Sequence, residues 1–578
     1  MNASIFWYDY ETTGIDPRRD RPLQVAGIRT DEDLNEVGES LNLYCRPSDD
    51  ILPHPAACLV TGITPDRLEE RGLGEAEFMT RLHAELAQPG TCVAGYNTLR
   101  FDDEVTRYSL YRNFFDPYAR EWQGGNSRWD LIDMVRTAYA LRPEGIVWPE
   151  QDGAVSLKLE RLTAANGIDH GQAHDALSDV RATIALARLV RDRQPKLYDY
   201  LYRLRGKQGV LDQVRVLQPM VHISGMFSAA RHYLSVVLPL GWHPRNRNAL
   251  IVCDLGVDVS PLLELDAETL RKRLYTRRDE LAEGELPVPL KLLHINRCPV
   301  VAPLSVLRPQ DRERIGVDLD ACLAAGQTLT QAKAIWQDKL APLYAEESFA
   351  GSEDPEQQLY DGFIGDRDRR LCEQVRQADP ARLAKEQWPF DDARLPELLF
   401  RYRARNFPET LSATQQQQWQ DFCRARLSQA EYGAPNTLDN FAAAMSEQLV
   451  NATPPAVWCW KSGRSMRRCC ARAIACSAAH FSAGNKKRQR EAGVFHLRKA
   501  QPSSVAQPST ASAPHLAFHS LRVLWLPPLV SMTSPVCGFL YCLTLRARLA
   551  TVAFAVRGDL LSFASGSSRA MTSRRDLP

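Results

Sequence analysis

Short apolar runs and one long run of helical period divide the front of the chain. "SIFWY" at 4–8, "QVAGIRT" at 24–30 and "TCVAGYN" at 91–97 are compact, apolar and closed by polar residues, which predicts strands of a mostly buried sheet. From Asp175 the period changes. "DALSDVRATIALARLVRD" places Leu177, Val180, Ile184, Ala187 and Val190 at helical spacing, which predicts an amphipathic helix packed on that sheet. Up to about residue 190 the class is α/β.

A chain of 578 residues is too long for one hydrophobic core, so several domains are expected. With 44% hydrophobic and 24% charged residues the composition is that of a globular protein. No basic stretch followed by an apolar one opens the chain, so no signal peptide is expected. A reducing cytosolic setting with free thiols follows for the 14 Cys, which show no paired C-x-x-C at zinc spacing. The net charge of +1 conceals a break near Thr453: about 18 Lys and Arg stand against about 3 acids in 454–578, so the body is acidic and the tail basic. The tail is rich in Arg, Ser, Ala and Cys and lacks sustained amphipathic period, as an out-of-frame, disordered extension would. Two other readings are a nucleic-acid-binding arm around "KKRQR" and a membrane segment at 523–545, the latter interrupted by Pro527, Pro528 and Pro535.

The chemistry starts in "IFWYDYETTGIDP". On a strand of period two, Asp9 and Glu11 share a face and Tyr10 takes the other, and Gly14 with Asp16-Pro17 turns the chain just beyond. Two such carboxylates repel unless a cation lies between them, and hard cations such as Mg²⁺ or Mn²⁺ bind through these oxygens. By itself a D-x-E is more often a solvated strand end. Downstream, "YNTLRFDDE" sets Asp102 at a strand-to-helix junction, where a simple capping role would also suit it. In "HDALSD", His174 and Asp179 would lie about 140° apart on one continuous helix. His174 is therefore expected on the loop before the helix and Asp179 in its early turns, so that both face one point.

Together, D-x-E, N-x-x-x-F-D and H-x-x-x-x-D resemble the DEDDh family of 3'-to-5' exonucleases. The resemblance matches Asp9, Glu11, Asp102 and Asp179 to metal-binding carboxylates and His174 to the general base. Tyr10 departs from the Thr common in the wider superfamily, on the face away from the metals. Longer stretches, among them "DRPLQVAGIRTD", "NSRWDLIDM", "WHPRNRNA", "VPLKLLHINRCPV" and "LLFRYRARNFPETL", look like bacterial exonuclease I over residues 5 to about 450. That resemblance implies a multidomain α/β chain: a ribonuclease-H-like exonuclease domain over 1–192, an SH3-like β-rich domain over 196–345, an α-helical C-terminal domain over 350–453, and the tail from 454. It also implies processive degradation of single-stranded DNA to 5'-mononucleotides with two Mg²⁺ ions per site, Mn²⁺ being a substitute, by a monomer of the cytoplasm and nucleoid acting in DNA repair.

Substrate binding needs positive charge and flat rings. "RYSLYRNFFDPYAREW" at 107–122 interleaves both, although aromatics at helical spacing are more often core. By resemblance Arg107, Tyr118, Trp122, Arg136 and Lys158 contact DNA, and Glu11 meets the terminal sugar. "FRYRARNF" at 400–407 and "HPRNRN" at 243–248 could line the groove or be solvated faces. The family's partner, the acidic C-terminal tail of single-stranded-DNA-binding protein, would meet Arg142 and Arg308. No membrane partner is expected. A DEDDh enzyme that trims RNA and a non-catalytic binding scaffold are the alternatives, the first turning on how the site treats the 2'-OH.

Overall fold

In the computed structural model, which describes residues 3–171, 175–345, 351–429 and 431–451, strand β1 (Ser4–Thr12) is central to a six-stranded sheet. The other strands are β2 (Pro22–Thr30), β3 (Leu41–Cys45), β4 (Gly72–Leu73), β5 (Thr91–Gly95) and β6 (Ser127–Asp130), in the order β4-β3-β2-β1-β5-β6. β1 runs antiparallel to β2 from Ile5 to Thr12 but parallel to β5 only from Ser4 to Trp7, so its second half outruns β5. The end of β5 lies close to β1: a Cβ on Gly95 would stand 2.6 Å from the Tyr8 carbonyl oxygen.

Period two decides the two faces of β1. Ile5 and Trp7 share a core with Val180, Ile184 and Ala187 of the helix Ala176–Arg193, the element expected from its apolar spacing. Phe6, Tyr8 and Tyr10 share another with Phe78, Met79 and Leu82 of the helix Glu75–Leu86 and Val105 of the helix Asp102–Arg112. The odd face therefore carries Asp9 and Glu11 out toward the start of the Ala176–Arg193 helix.

After a hairpin of β7 (Glu150–Gln151) and β8 (Ala154–Val155), a second sheet is built from β9 (Met220–Ile223), β10 (Leu234–Trp242), β11 (Ala249–Asp254), β12 (Leu290–His294) and β13 (Val300–Ala302). It is antiparallel throughout, in the order β12-β11-β10-β9-β13. The largest core runs without a break from Trp7 and Trp129 through Tyr198 and Leu201 to Val221, Leu238, Trp336 and Leu343. The helix Pro195–Arg203 carries Tyr198, whose ring meets Trp129 edge-on at 5.3 Å, so residues on either side of the expected 192–196 border share one interior.

Between residues 355 and 451 the described elements are all helical. Leu398 and Tyr402 of the helix Leu395–Asn406 pack with Tyr108, Tyr111 and Phe114 of the first domain. Arg401 and Arg403 of "FRYRARNF" are buried and the Arg405 side chain is 3% exposed, which corrects the expectation that this stretch lines a DNA groove or forms a solvated face. The charges of Arg401 and Arg405 meet acids brought from residues 50, 354 and 356, partners that local sequence does not announce, while Arg403 donates to Thr410. "HPRNRN" in contrast exposes Arg245 and Arg247 on a loop after β10.

Eight cysteines among the described residues are buried free thiols. Among the described residues no helix is long and apolar enough to cross a membrane. The tail from 454, with the 523–545 segment, lies outside the described residues.

Candidate active site

Asp9, Glu11 and Asp179 each offer a carboxylate oxygen, and these three atoms lie within 4.8 Å of one another. Asp9 and Glu11 come from the odd face of β1. Asp179 comes from the first turn of the Ala176–Arg193 helix, whose N-cap is Asp175; the Asp175 side chain accepts from the Ser178 amide at 3.3 Å. This is the placement expected for Asp179. His174, the expected general base, lies outside the described residues.

Asp102 opens the Asp102–Arg112 helix, and its Oδ1 accepts the Tyr10 amide N–H at 3.1 Å. That amide is on the stretch of β1 that has outrun β5, so a side-chain carboxylate takes the place of a strand partner. Tyr10 faces away from the carboxylates, as expected, and its hydroxyl accepts from Thr106 at 3.2 Å.

The electrostatics follow from burial and from like charges. Burial first, then the charges of Asp102, Glu11 and Asp179, push the Asp9 carboxyl well above the usual carboxylate range. Glu11 is pushed up to about 8 by burial, then by Asp179 and Asp102. Asp102 is pushed up to about 8, chiefly by burial. Ionising an all-oxygen, anionic donor set of this kind is costly unless positive charge enters it. A hard divalent cation fits that chemistry.

A second histidine, absent from the sequence expectations, reaches the site. His170 Nε2 lies 2.5 Å from Asp179 Oδ1, and its Nδ1 lies 2.9 Å from Thr163 Oγ1. "IDHGQAHD" contains both histidines, and the D-x-E/H-x-x-x-x-D spacing selects only the second.

The aromatic run divides as its period dictates. Tyr108, Tyr111, Phe114 and Phe115 are core, whereas Trp122 is 65% exposed and Tyr118 half-buried. Tyr118 stands edge-on to Phe363, itself exposed, at 5.8 Å. An apolar cleft of about 320 Å³ opens here, lined in part by Tyr118, Trp122, Phe363 and Arg376. Arg107 is buried and donates to Glu104, Glu121 and the Tyr360 hydroxyl, lying over the Tyr118 ring at 5.6 Å. Arg136 pairs with Asp133 at 2.6 Å and lies over Tyr233, while Lys158 is exposed at the N-cap of the helix Leu159–Ala165. Arg142 and Arg308, chosen separately in sequence, converge on Asp311, at 3.2 and 2.7 Å from its Oδ2.

Three family models match the chain: "Exonuclease" over residues 6–187, "Exonuclease I SH3-like domain" over 205–346 and "Exonuclease I C-terminal domain" over 353–455. The exodeoxyribonuclease I of Escherichia coli K12 is 50% identical over 423 residues, which is 72% of this chain and 89% of the relative. A crystal structure of E. coli exonuclease I in complex with a dA16 oligonucleotide superposes with a TM-score of 0.74 at 44% identity, covering 84% of this chain and 100% of the other. A structure of SSB/exonuclease I with an inhibitor gives a TM-score of 0.73 at 45% identity, covering 80% and 98%.

Proposed function

The chain belongs to the exodeoxyribonuclease I family, and on that premise we propose that it degrades single-stranded DNA from the 3' end to 5'-mononucleotides by metal-dependent hydrolysis, in DNA repair. The observation that carries the reading at the level of the site is the convergence of Asp9, Glu11 and Asp179 within 4.8 Å, at the end of a strand tied to Asp102. Asp9, Glu11 and Asp179 would hold one Mg²⁺, and Asp9 with Asp102 a second, Mn²⁺ being able to replace either. When bound, such ions polarise the attacking water and stabilise the charge on the leaving 3'-oxygen.

The remaining work falls to the chain's own residues. His174 takes the proton of the attacking water, and Glu11 also meets the terminal sugar. Trp122 and Tyr118 present ring faces on which bases stack, while Arg136 and Lys158 meet the phosphate backbone. Arg107 is engaged by Glu104, Glu121 and Tyr360, so its part in binding is to brace Tyr118. Arg142 and Arg308, drawn together at Asp311, would receive the acidic C-terminal tail of single-stranded-DNA-binding protein, and the solved structure of SSB with exonuclease I supports that partner. The protein is read as a monomer of the cytoplasm, working on the nucleoid.

Degradation of 3'-labelled single-stranded DNA and RNA with Mg²⁺, beside an Asp9→Ala control, tests this. DNA should be consumed, RNA spared and the control inert. Preferential trimming of RNA would make the protein an exoribonuclease, and tight binding without degradation would make it a scaffold.

A further inference from the structure

The sheet alone does not hold the second half of β1 on the side of β5, because their pairing ends at Trp7 and Ala94. Three side-chain bonds take over, all to the Asp102–Arg112 helix. Tyr8 Oη donates to Asp103 Oδ1 at 2.9 Å, the Tyr10 amide donates to Asp102 Oδ1 at 3.1 Å, and Thr106 Oγ1 donates to Tyr10 Oη at 3.2 Å. Tyr8 and Asp103 stand next in sequence to Asp9 and Asp102.

Asp103 is itself pinned from two further segments. Arg120 Nη2 donates to its Oδ1 at 2.7 Å, and Arg128 Nη1, from β6, to its Oδ2 at 2.7 Å. All three side chains are buried. Arg128 is held in turn by Glu121 at 3.1 Å and by the Asn296 carbonyl at 3.2 Å. A carboxylate gripped by two guanidiniums is a rigid acceptor, and the Tyr8 hydroxyl directs its proton to it.

From this geometry we propose that Asp103, acting through Tyr8, is a positioning residue that fixes the separation between Asp9 on the strand and Asp102 on the helix. The inference rests on the metal-site reading of those two carboxylates. Of the bonds that join β1 to the helix start, the one made by Asp102 engages one oxygen of a candidate ligand, so its geometry is shared between the strand and any cation that the other oxygen would hold. The Tyr8–Asp103 bond uses neither ligand, so it holds the strand against the helix whether or not the site is loaded. Partners that orient ligands in this way are worth about 10–100-fold in metal affinity, and a displacement of about 1 Å can cost about a hundredfold in rate.

Tyr8→Phe removes one hydroxyl and leaves the ring in its core. In the full chain without DNA, calorimetric titration with Mn²⁺ should show affinity lower by about tenfold. Thr30→Val, which deletes the buried Trp7–Thr30 bond on the opposite face of β1 and strands a buried N–H, should melt below the parent yet bind Mn²⁺ as the parent does. Turnover of single-stranded DNA by Tyr8→Phe should fall while KM holds. Wild-type Mn²⁺ affinity in Tyr8→Phe, or an equal loss in Thr30→Val, would overturn the proposal. Activity in Asp9→Ala would instead overturn the site reading on which it rests.

Discussion

Arg426 donates through Nε to the carbonyl oxygen of Asp50 at 3.1 Å, and both side chains are closed to solvent although 376 positions separate them. The bond belongs to a buried network. Arg405 grips both oxygens of Asp50, at 3.1 and 2.8 Å, and reaches Glu356; Arg21 meets Glu356 at 2.7 Å; Arg401 meets Asp354 at 2.6 Å. Its members come from the first domain and from the helices after residue 350. The network therefore ties the C-terminal helices to the domain that carries the carboxylates.

Arg405→Met should destabilise the protein by about 3–5 kcal/mol, because it strands Asp50 and Glu356 without their principal cation while keeping much of the side-chain volume. Urea unfolding followed by tryptophan fluorescence measures this. A loss below about 1 kcal/mol would mean that the network is already solvated.

The same network sets an acid limit. Burial alone would raise the Glu356 and Asp50 carboxyls, but Arg405 first, with Arg21 and Arg426, holds both well below their ordinary values of 4.5 and 3.8. Folded-state values below the unfolded ones mean that the unfolded chain binds more protons as pH falls. The stabilisation is thus complete above about pH 5 and drains away below it, as the pH falls toward the depressed folded values. Unfolding free energies should stay level in this contribution from about pH 7 to 5 and then drop, with a shallower drop in Arg405→Met. Equal acid slopes for the two proteins would sink the assignment.

At the carboxylate cluster the balance runs the other way. Asp9 is disfavoured as an anion by burial and by Asp102, Glu11 and Asp179, so Asp9→Asn should raise metal-free stability by about 1–2 kcal/mol at neutral pH. Nuclease activity should fall at least about a hundredfold in the same protein. Thermal unfolding in EDTA and then in Mg²⁺ separates the effects: the parent should gain stability from Mg²⁺, and the variant should not.

What could be read from sequence was whatever a local period encodes. Asp9 and Glu11 fall on one face because strand residues alternate, and Asp179 joins them because the helix N-cap lies four residues earlier, at Asp175. Arg142 and Arg308 came from resemblance as partner contacts, and nothing local marks that they meet at Asp311. Arg401 and Arg405 were ambiguous for a physical reason: a basic helix face looks the same whether it meets water, DNA or buried acids, and here the acids lie at 50, 354 and 356. The border near 192–196 was legible as a change of element but not as a shared core, since apolar spacing gives a face and not its partner. His170 escaped because nothing in the letters D-H-G-Q distinguishes a surface histidine from one that reaches Asp179.

Removing residues 456–578 should leave degradation of single-stranded DNA within about twofold of the full chain, because the family models end at residue 455 and the composition changes there. The tail carries about 18 basic residues, so the competing reading of a DNA-binding arm has its own signature. Deletion would then weaken binding at low salt and flatten the dependence of affinity on salt, by about 0.7 of a unit of slope for each single-strand phosphate that the arm had neutralised. Fluorescence anisotropy of a labelled oligonucleotide across a salt series decides between them.

His174→Ala should reduce turnover at neutral pH by at least about a hundredfold while leaving single-strand affinity nearly intact, since a general base acts on the attacking water and not on the bound strand. His170 offers the discriminating comparison. It touches Asp179 and Thr163, so His170→Ala should act through the Asp179 carboxylate and raise the Mg²⁺ concentration needed for half-maximal rate. Saturating Mg²⁺ should restore the rate of His170→Ala but not that of His174→Ala, because metal loading repairs a displaced ligand and not a missing base. A fully active His174→Ala enzyme, together with a His170→Ala defect that saturating Mg²⁺ leaves in place, would transfer the proton-accepting role from His174 to His170.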